Sequence, residues 1–283
     1  MKIKITADST CDLSPELVEK YSVGIMPLTV VLGDKNYLDG LNITPQDIFD
    51  YVAKTGKLPK TSAPAVEEYN EFFKKSLEGY DALIHFNIST KASASYNNAC
   101  TSAKEFGGKV FVVDSAALST GQGLLVLKAC DLAAAGLKAG EIVKTVEELK
   151  THVNTSFVPD ALDYLHKGGR CSLASLMGAK ILKLHPMISM KDGQMYAKKK
   201  YMGGLERCLK NYLKDLAEEY HYYDKTRCFI THSCCEKEVV DKVKEQVKEL
   251  FDFNEILETY AGSVVTAHCG KNTLGLLFIY EKK

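Results

Sequence analysis

The order of apolar and polar positions predicts alternating strands and helices in the first half of the chain. Apolar runs of strand length lie at 2–7, 24–32, 83–88 and 109–113. Ser14-Pro15 and Thr44-Pro45 each place a capping hydroxyl before a proline, which is typical of a helix start. Further helices are predicted at 66–77, 93–103, 118–135 and 141–153. This alternation favours a largely parallel sheet with helices on both faces.

The second half has a different order of predicted strands and helices. Asp192-Gly193 separates two β-rich runs and favours a hairpin. Strands are also predicted at 155–158 and 227–231, and helices at 159–166, 172–184, 205–220 and 236–250. A length of 283 residues favours two domains. We therefore predict an α/β fold class, with an N-terminal α/β domain at 1–154 and a C-terminal α+β domain at 155–283 whose sheet is mixed or antiparallel.

Hydroxyl side chains are concentrated in two segments that connect predicted strands and helices. The apolar run 83–88 ends in Ser89-Thr90 and continues through Ser93 and Ser95 into a helix, while Thr61-Ser62 stand before Pro64 in a predicted loop. A strand that turns into a helix through hydroxyls collects backbone N–H groups and short donors at one point, which suits an anion. Ligand sites of open α/β sheets lie outside the carboxyl ends of the strands. Helix capping and turn formation are the alternative explanation.

The composition argues against nucleic-acid binding and against insertion into a membrane. Lys+Arg and Asp+Glu both number 36, so the net charge is zero and no basic excess drives nucleic-acid binding. The N-terminus enters a strand pattern without a signal-peptide segment, and no apolar run has the length of a membrane span. We expect a cytoplasmic protein without stable membrane insertion, whose nine cysteines are reduced thiols.

Signatures of enzymes and metal sites are weak. The chain has no dinucleotide-binding glycine pattern, no Walker A motif and no nucleophile elbow. His232-x-Cys234-Cys235 resembles half of a zinc site without a second half, and small buried thiols are the simpler explanation. We expect no metal and no cofactor. Asp8, after the first strand, could accept a phosphoryl group, but capping of a turn is favoured.

Arg170 and His268 are two further candidate site residues. Arg170 follows Gly168-Gly169, where the backbone can approach closely and the guanidinium can pair with a carboxylate or phosphate. The alternative is a solvated arginine after a helix end. His268 lies between apolar residues and a glycine, and a single histidine is more often structural than functional.

Several segments, taken together, indicate a protein family more strongly than any single segment does. In order along the chain they are 8–13, 60–64, 88–96, 112–115, 162–170 and 267–270. Together they resemble the DegV family of bacterial fatty-acid-binding proteins over essentially the whole chain. The resemblance implies an acyl chain in a tunnel between the two domains and a carboxylate held by hydroxyls, with an arginine and a histidine near the head group. The matching positions are Thr61, Ser62, Ser93, Ser95, Arg170 and His268.

The family also implies a ligand and a partner. The ligand is a long-chain fatty acid such as palmitate or stearate, and several members present it to a separate fatty acid kinase that phosphorylates it for phospholipid synthesis. On this interpretation the protein is a carrier with no catalytic residue. The alternative is a hydrolase or transferase acting on an acylated or phosphorylated small molecule, with Ser93 or Ser62 as nucleophile and His268 as base.

Overall fold

The computed structural model describes residues 1–169 and 184–281. In chain order the strands are β1 Ile3–Asp8, β2 Gly24–Met26, β3 Thr29–Leu32, β4 Lys35–Leu38, β5 Lys60–Ser62, β6 Ala82–Asn87, β7 Val110–Asp114, β8 Val153–Asn154, β9 Ser156–Val158, β10 Leu184–Lys191, β11 Gln194–Met202, β12 Tyr223–Ser233, β13 Glu255–Tyr260 and β14 Thr273–Tyr280. The helices are α1 Pro15–Lys20, α2 Pro45–Thr55, α3 Val66–Ser76, α4 Ser95–Ala103, α5 Thr120–Ala134, α6 Ala139–Leu149, α7 Asp163–Lys167, α8 Leu205–Glu219, α9 Lys237–Leu250 and α10 Ser263–Cys269.

The first sheet has the order β2-β1-β6-β7, and all its pairings are parallel. Strand β6 is buried at every position because helices cover both faces of the sheet. Ile84 and Phe86 pack toward a cluster with α5 and α6, whereas Leu83 packs on the other face toward α3 and α4. The prediction of a parallel sheet between two helical layers is confirmed.

The second sheet has seven strands in the order β11-β10-β9-β14-β12-β13, with β8 beside β14. It is mixed, since β12 and β13 are parallel while the other pairs are antiparallel. Helices α8 and α9 pack their apolar faces against this sheet. Tyr212 of α8, Val243 of α9 and Phe278 of β14 belong to the same buried cluster. The predicted mixed α+β architecture is confirmed. The proposed domain boundary between residues 154 and 155 falls between β8 and β9 and stays a prediction.

Three local predictions were wrong. Residues 24–32 form two strands in different sheets, since Pro27 has no N–H group to donate to a continuing ladder. Residues 60–62 form β5 rather than a loop, and they pair with β3 in a third, antiparallel sheet of order β4-β3-β5. Helix α6 begins at Ala139, ahead of Gly140. The helix predicted at 172–184 falls almost wholly outside the described residues, and Leu184 itself begins β10.

Candidate functional site

A largely apolar cavity of about 230 Å³ lies between the two halves of the chain. Apolar side chains from both halves form most of its wall, and they include Leu28, Ile88, Leu118, Phe157, Leu165, Met195, Val264 and Val265. Its hydroxyl and imidazole groups come from Thr61, Ser62, Ser93 and His268. The structure thus brings four of the six predicted site residues to the wall of one cavity.

Strand β5 and helix α10 bring Thr61 and His268 together. The Thr61 Oγ1 and His268 Nε2 atoms are 2.8 Å apart, although 207 residues separate the two positions in the chain. Thr61 is fixed by the pairing of β5 with β3, where it faces Val30. Because one partner comes from each half, this hydrogen bond ties the halves together at the wall of the cavity.

The two serines of the 88–95 segment have different places. Ser93 lines the cavity, whereas Ser95 is completely buried behind it. Their hydroxyl oxygens are 2.8 Å apart, and the Ser95 backbone N–H also donates to Ser93 Oγ at 3.2 Å. Ser93 therefore satisfies a donor at the start of α4, as the capping alternative requires, and it also faces the cavity. Ser95 is placed to support Ser93.

The hairpin of the second half packs on the same segment. The Ser89 hydroxyl donates to the Gly193 carbonyl oxygen at 2.7 Å, at the turn between β10 and β11. Gly193 has φ +76°, and a Cβ there would lie 2.6 Å from Ser89 Oγ, so the close approach requires glycine. This contact holds Met195, two residues further on, in the cavity wall.

Helix α7 ends against the imidazole of His268. A Cβ at Gly168 would lie 2.8 Å from His268 Nδ1 and 2.7 Å from the Tyr164 carbonyl oxygen, so the backbone there can approach the ring only as glycine. Arg170, two residues later, lies outside the described residues. The described residue that lies beside the His268 ring is Gly168.

A buried polar cluster lies beneath the hydroxyl segment. The Asp8 carboxylate accepts hydrogen bonds from the Tyr69 hydroxyl at 2.8 Å, from Asn87 Nδ2 at 3.1 Å and from the Ile88 N–H at 3.1 Å. Burial, followed by the Asp8 charge, raises the pKa of Tyr69. Asp8 does not cap the turn after β1, so the favoured capping role was wrong. Its complete burial also argues against phosphoryl transfer.

The cysteine–histidine segment has a structural setting. His232 Nε2 lies 3.3 Å from Glu258 Oε1, and the Cys235 thiol lies 3.6 Å from the Thr273 carbonyl oxygen. Burial raises the pKa of Cys235 to about 12, which disfavours the thiolate that a metal would bind. Across 1–169 and 184–281, no three histidine, cysteine or carboxylate side chains are grouped to hold a metal ion.

None of the helices that the structure describes has the length and apolar character needed to cross a bilayer.

Comparisons with known proteins find relatives that match this chain over nearly its whole length. A protein from Deinococcus radiodurans, named as DegV domain-containing, is 31% identical over 280 residues, which cover 98% of each chain. A solved DegV-family structure from Thermus thermophilus, described by its fatty acid binding, has 29% identity and a TM-score of 0.89, and covers 99% of this chain and 100% of its own. A stearic-acid-binding protein from Eubacterium ventriosum has 29% identity and a TM-score of 0.84, with 98% of both chains covered. The model of the family described as "Uncharacterised protein, DegV family" matches residues 2–281. This chain therefore belongs to the DegV family.

Proposed function

We propose that the protein binds a long-chain fatty acid, such as palmitate or stearate, in the cavity between its halves. The observation that carries the proposal is the division of the cavity wall into an apolar majority and one set of hydroxyl and imidazole groups. The carboxylate lies at Thr61, Ser62 and Ser93, with His268 beside it. Ser95 supports Ser93 from behind. The solved relatives described as fatty-acid-binding proteins support the same ligand class.

The physical chemistry of a fatty acid fits this wall. Burial of each methylene group contributes about 0.8 kcal/mol, so the apolar side chains supply most of the affinity. The carboxylate must keep hydrogen-bond partners when it leaves water. Hydroxyl donors such as Thr61 and Ser93 can pair a single negative charge, and no chemical step is required of them.

A second, smaller cavity supports the proposal that the binding site is a tunnel. It has a volume of about 30 Å³ and shares Leu118, Phe157, Val265 and Cys269 with the larger one. The lining of the main cavity comes partly from residues before 154 and partly from residues after 155. We infer that an acyl chain passes between two domains with these bounds.

We further propose that the bound acid is presented to a fatty acid kinase. Helix α7 ends with Gly168 beside the His268 ring. By the family resemblance we assign Arg170 to the phosphorylated head group, since a guanidinium can pair with the greater charge of a phosphate. Such a kinase consumes ATP, which is consistent with a cytoplasmic protein.

The test begins with the purified protein. After denaturation and extraction, mass spectrometry is expected to find a long-chain acid, and the stripped protein is expected to rebind palmitate. Ser93→Ala is expected to weaken palmitate binding about tenfold or more, because a lost hydrogen bond to a charged group costs about 1.5–3 kcal/mol. Absence of any extracted acid together with no palmitate binding would contradict the proposal. Covalent labelling of Ser93 by a serine-reactive probe would favour the hydrolase or transferase instead.

A further inference from the structure

Two carboxylates of the first half hold the start of helix α10. The Gly262 N–H donates to Asp12 Oδ1 at 2.9 Å, and the Ser263 N–H donates to Asp39 Oδ1 at 2.7 Å. The second oxygen of each carboxylate also accepts a hydroxyl, from Ser119 at 2.5 Å for Asp12 and from Ser9 at 2.8 Å for Asp39. These bonds join positions 250 and 224 residues apart, so they dock the second half onto the first.

The two carboxyl groups are buried, and both lie beside Gly262. Asp12 is 5% exposed and Asp39 is 2% exposed. A Cβ added at Gly262 would lie 2.9 Å from Asp12 Oδ1 and 3.2 Å from Asp39 Oδ1. Both oxygens thus lie beside the same point of the backbone, and two buried carboxylates placed near one position repel each other unless a cation or a proton intervenes.

Within residues 1–169 and 184–281, neither Asp12 nor Asp39 is paired with a lysine, arginine or histidine side chain. The titratable groups around the pair are the Cys11 thiol and the Cys269 thiol, with Asp8 acting on Cys11 from the same side. Tyr260 lines a separate surface cleft together with Asp12, Asp39 and Gly262. The other hydrogen-bond partners are hydroxyls and backbone N–H groups, which leave the charge of two carboxylates uncompensated.

The direction of the pKa shifts agrees with this crowding. Burial raises the pKa of Asp12 well above its usual range, and the Asp39 charge adds to the rise. Burial also raises the pKa of Asp39, against the opposing hydrogen bonds from Ser9 and from the backbone of α10.

We propose that Asp12 and Asp39 act as one carboxyl pair that keeps a proton in the folded protein and so positions helix α10. The side chains Val264, Val265 and His268 of this helix form part of the cavity wall. The pair is therefore a positioning device for that wall, located outside the cavity itself. Proton retention can be measured without any ligand, so it can be tested whether or not the proposed function is correct.

The sign of the pH effect follows from linkage. In the unfolded chain both carboxyls have an ordinary pKa of about 4, whereas the folded pair has a raised one. Between those two values the folded state binds one more proton than the unfolded state. Stability from the pair is complete at acidic pH and is lost as the pH rises toward the folded pKa. The unfolding equilibrium constant is expected to rise about tenfold per pH unit in that window.

The experiment is urea unfolding of three proteins from about pH 5 to pH 8. These are the unmodified protein, the double variant Asp12→Asn/Asp39→Asn, and the control Asp47→Asn. Asp47 is an exposed helix-capping carboxylate with a lowered pKa, so its loss shifts stability by the same amount throughout this range. The ratio of unfolding constants between the unmodified protein and the double variant is expected to rise with pH, approaching tenfold per unit. A ratio independent of pH would overturn the proposal.

Two measurements keep the proposal testable if the double variant does not fold. Infrared spectroscopy of the unmodified protein near pH 7 is expected to show a protonated carboxyl band that disappears on unfolding, and its absence would contradict proton retention. Hydrogen exchange of a peptide spanning 261–270, corrected for the intrinsic pH dependence of exchange, is expected to accelerate with pH relative to a control peptide from α9. Equal pH dependence of the two peptides would show that the pair does not position α10.

Discussion

Replacement of Thr61 by valine tests the proposed recognition of the carboxylate separately from the proposed burial of the acyl chain. The substitution removes one hydroxyl and keeps the branched shape, and valine is favourable in a strand such as β5. It breaks the 2.8 Å hydrogen bond to His268 and deletes a proposed donor to the ligand.

The two lost interactions have different magnitudes. A typical hydrogen bond within a protein contributes about 0.5–1.5 kcal/mol to stability, so the Thr61→Val protein is expected to unfold within a few degrees of the unmodified one. A hydrogen bond to a carboxylate contributes about 1.5–3 kcal/mol, which corresponds to a rise of about 10- to 150-fold in the Kd for palmitate. Hexadecanol has the same chain without the charge, so its affinity is expected to change only a few-fold.

The assay is calorimetric or fluorescence titration of stripped protein with both ligands. Thr29→Val is the matched control, because Thr29 pairs with Ser62 in the same small sheet and does not line the cavity. Thr29→Val is expected to leave both affinities unchanged. If Thr61→Val weakened palmitate and hexadecanol equally, the hydroxyl would shape the cavity rather than bind the carboxylate. If neither affinity changed, Thr61 would not contact the ligand.

Three other outcomes are expected. In a series of saturated acids, affinity should rise about fourfold per added methylene until the proposed tunnel is filled, as measured by competition with palmitate. Equal affinity along the series would contradict an apolar tunnel. Gly262→Ala should destabilise the protein in urea unfolding, because its Cβ would lie 2.9 Å from Asp12 Oδ1, whereas Gly140→Ala in α6 meets nothing within 4 Å and should stabilise by about 0.5–1 kcal/mol. Arg170→Ala should leave palmitate binding within a few-fold but reduce phosphorylation by a partner kinase; loss of palmitate binding would instead place Arg170 on the carboxylate.

Much of the fold was predictable because its signals are local. Apolar runs such as 83–88 and the Thr44-Pro45 cap state their structure within a few residues, and β6 and α2 form where they predict. Strand β5 was missed because three residues of mixed polarity carry no periodicity. Its structure depends on β3, about 30 residues earlier in the chain.

The candidate site was likewise predictable only where its residues had a local signal or a family match. Position along the chain, together with the family resemblance, was sufficient to group Thr61, Ser62, Ser93 and His268, which line one cavity. The burial of Ser95 behind Ser93 depends on how α4 packs, which no local pattern reports. The carboxyl pair of Asp12 and Asp39 was also missed, since no local pattern marks its contact with α10.

The long chain separation across the cavity has a consequence for biosynthesis. Thr61 meets His268, and Asp12 meets Gly262, only after more than 200 intervening residues have been made. Early segments of a nascent chain fold first, and contacts of high contact order form last. A growing chain on the ribosome can complete its parallel sheet long before residues 262–268 emerge. The part of the cavity wall at Thr61 and His268 is therefore assembled among the final events of synthesis, and an unfinished chain has no complete cavity for a ligand.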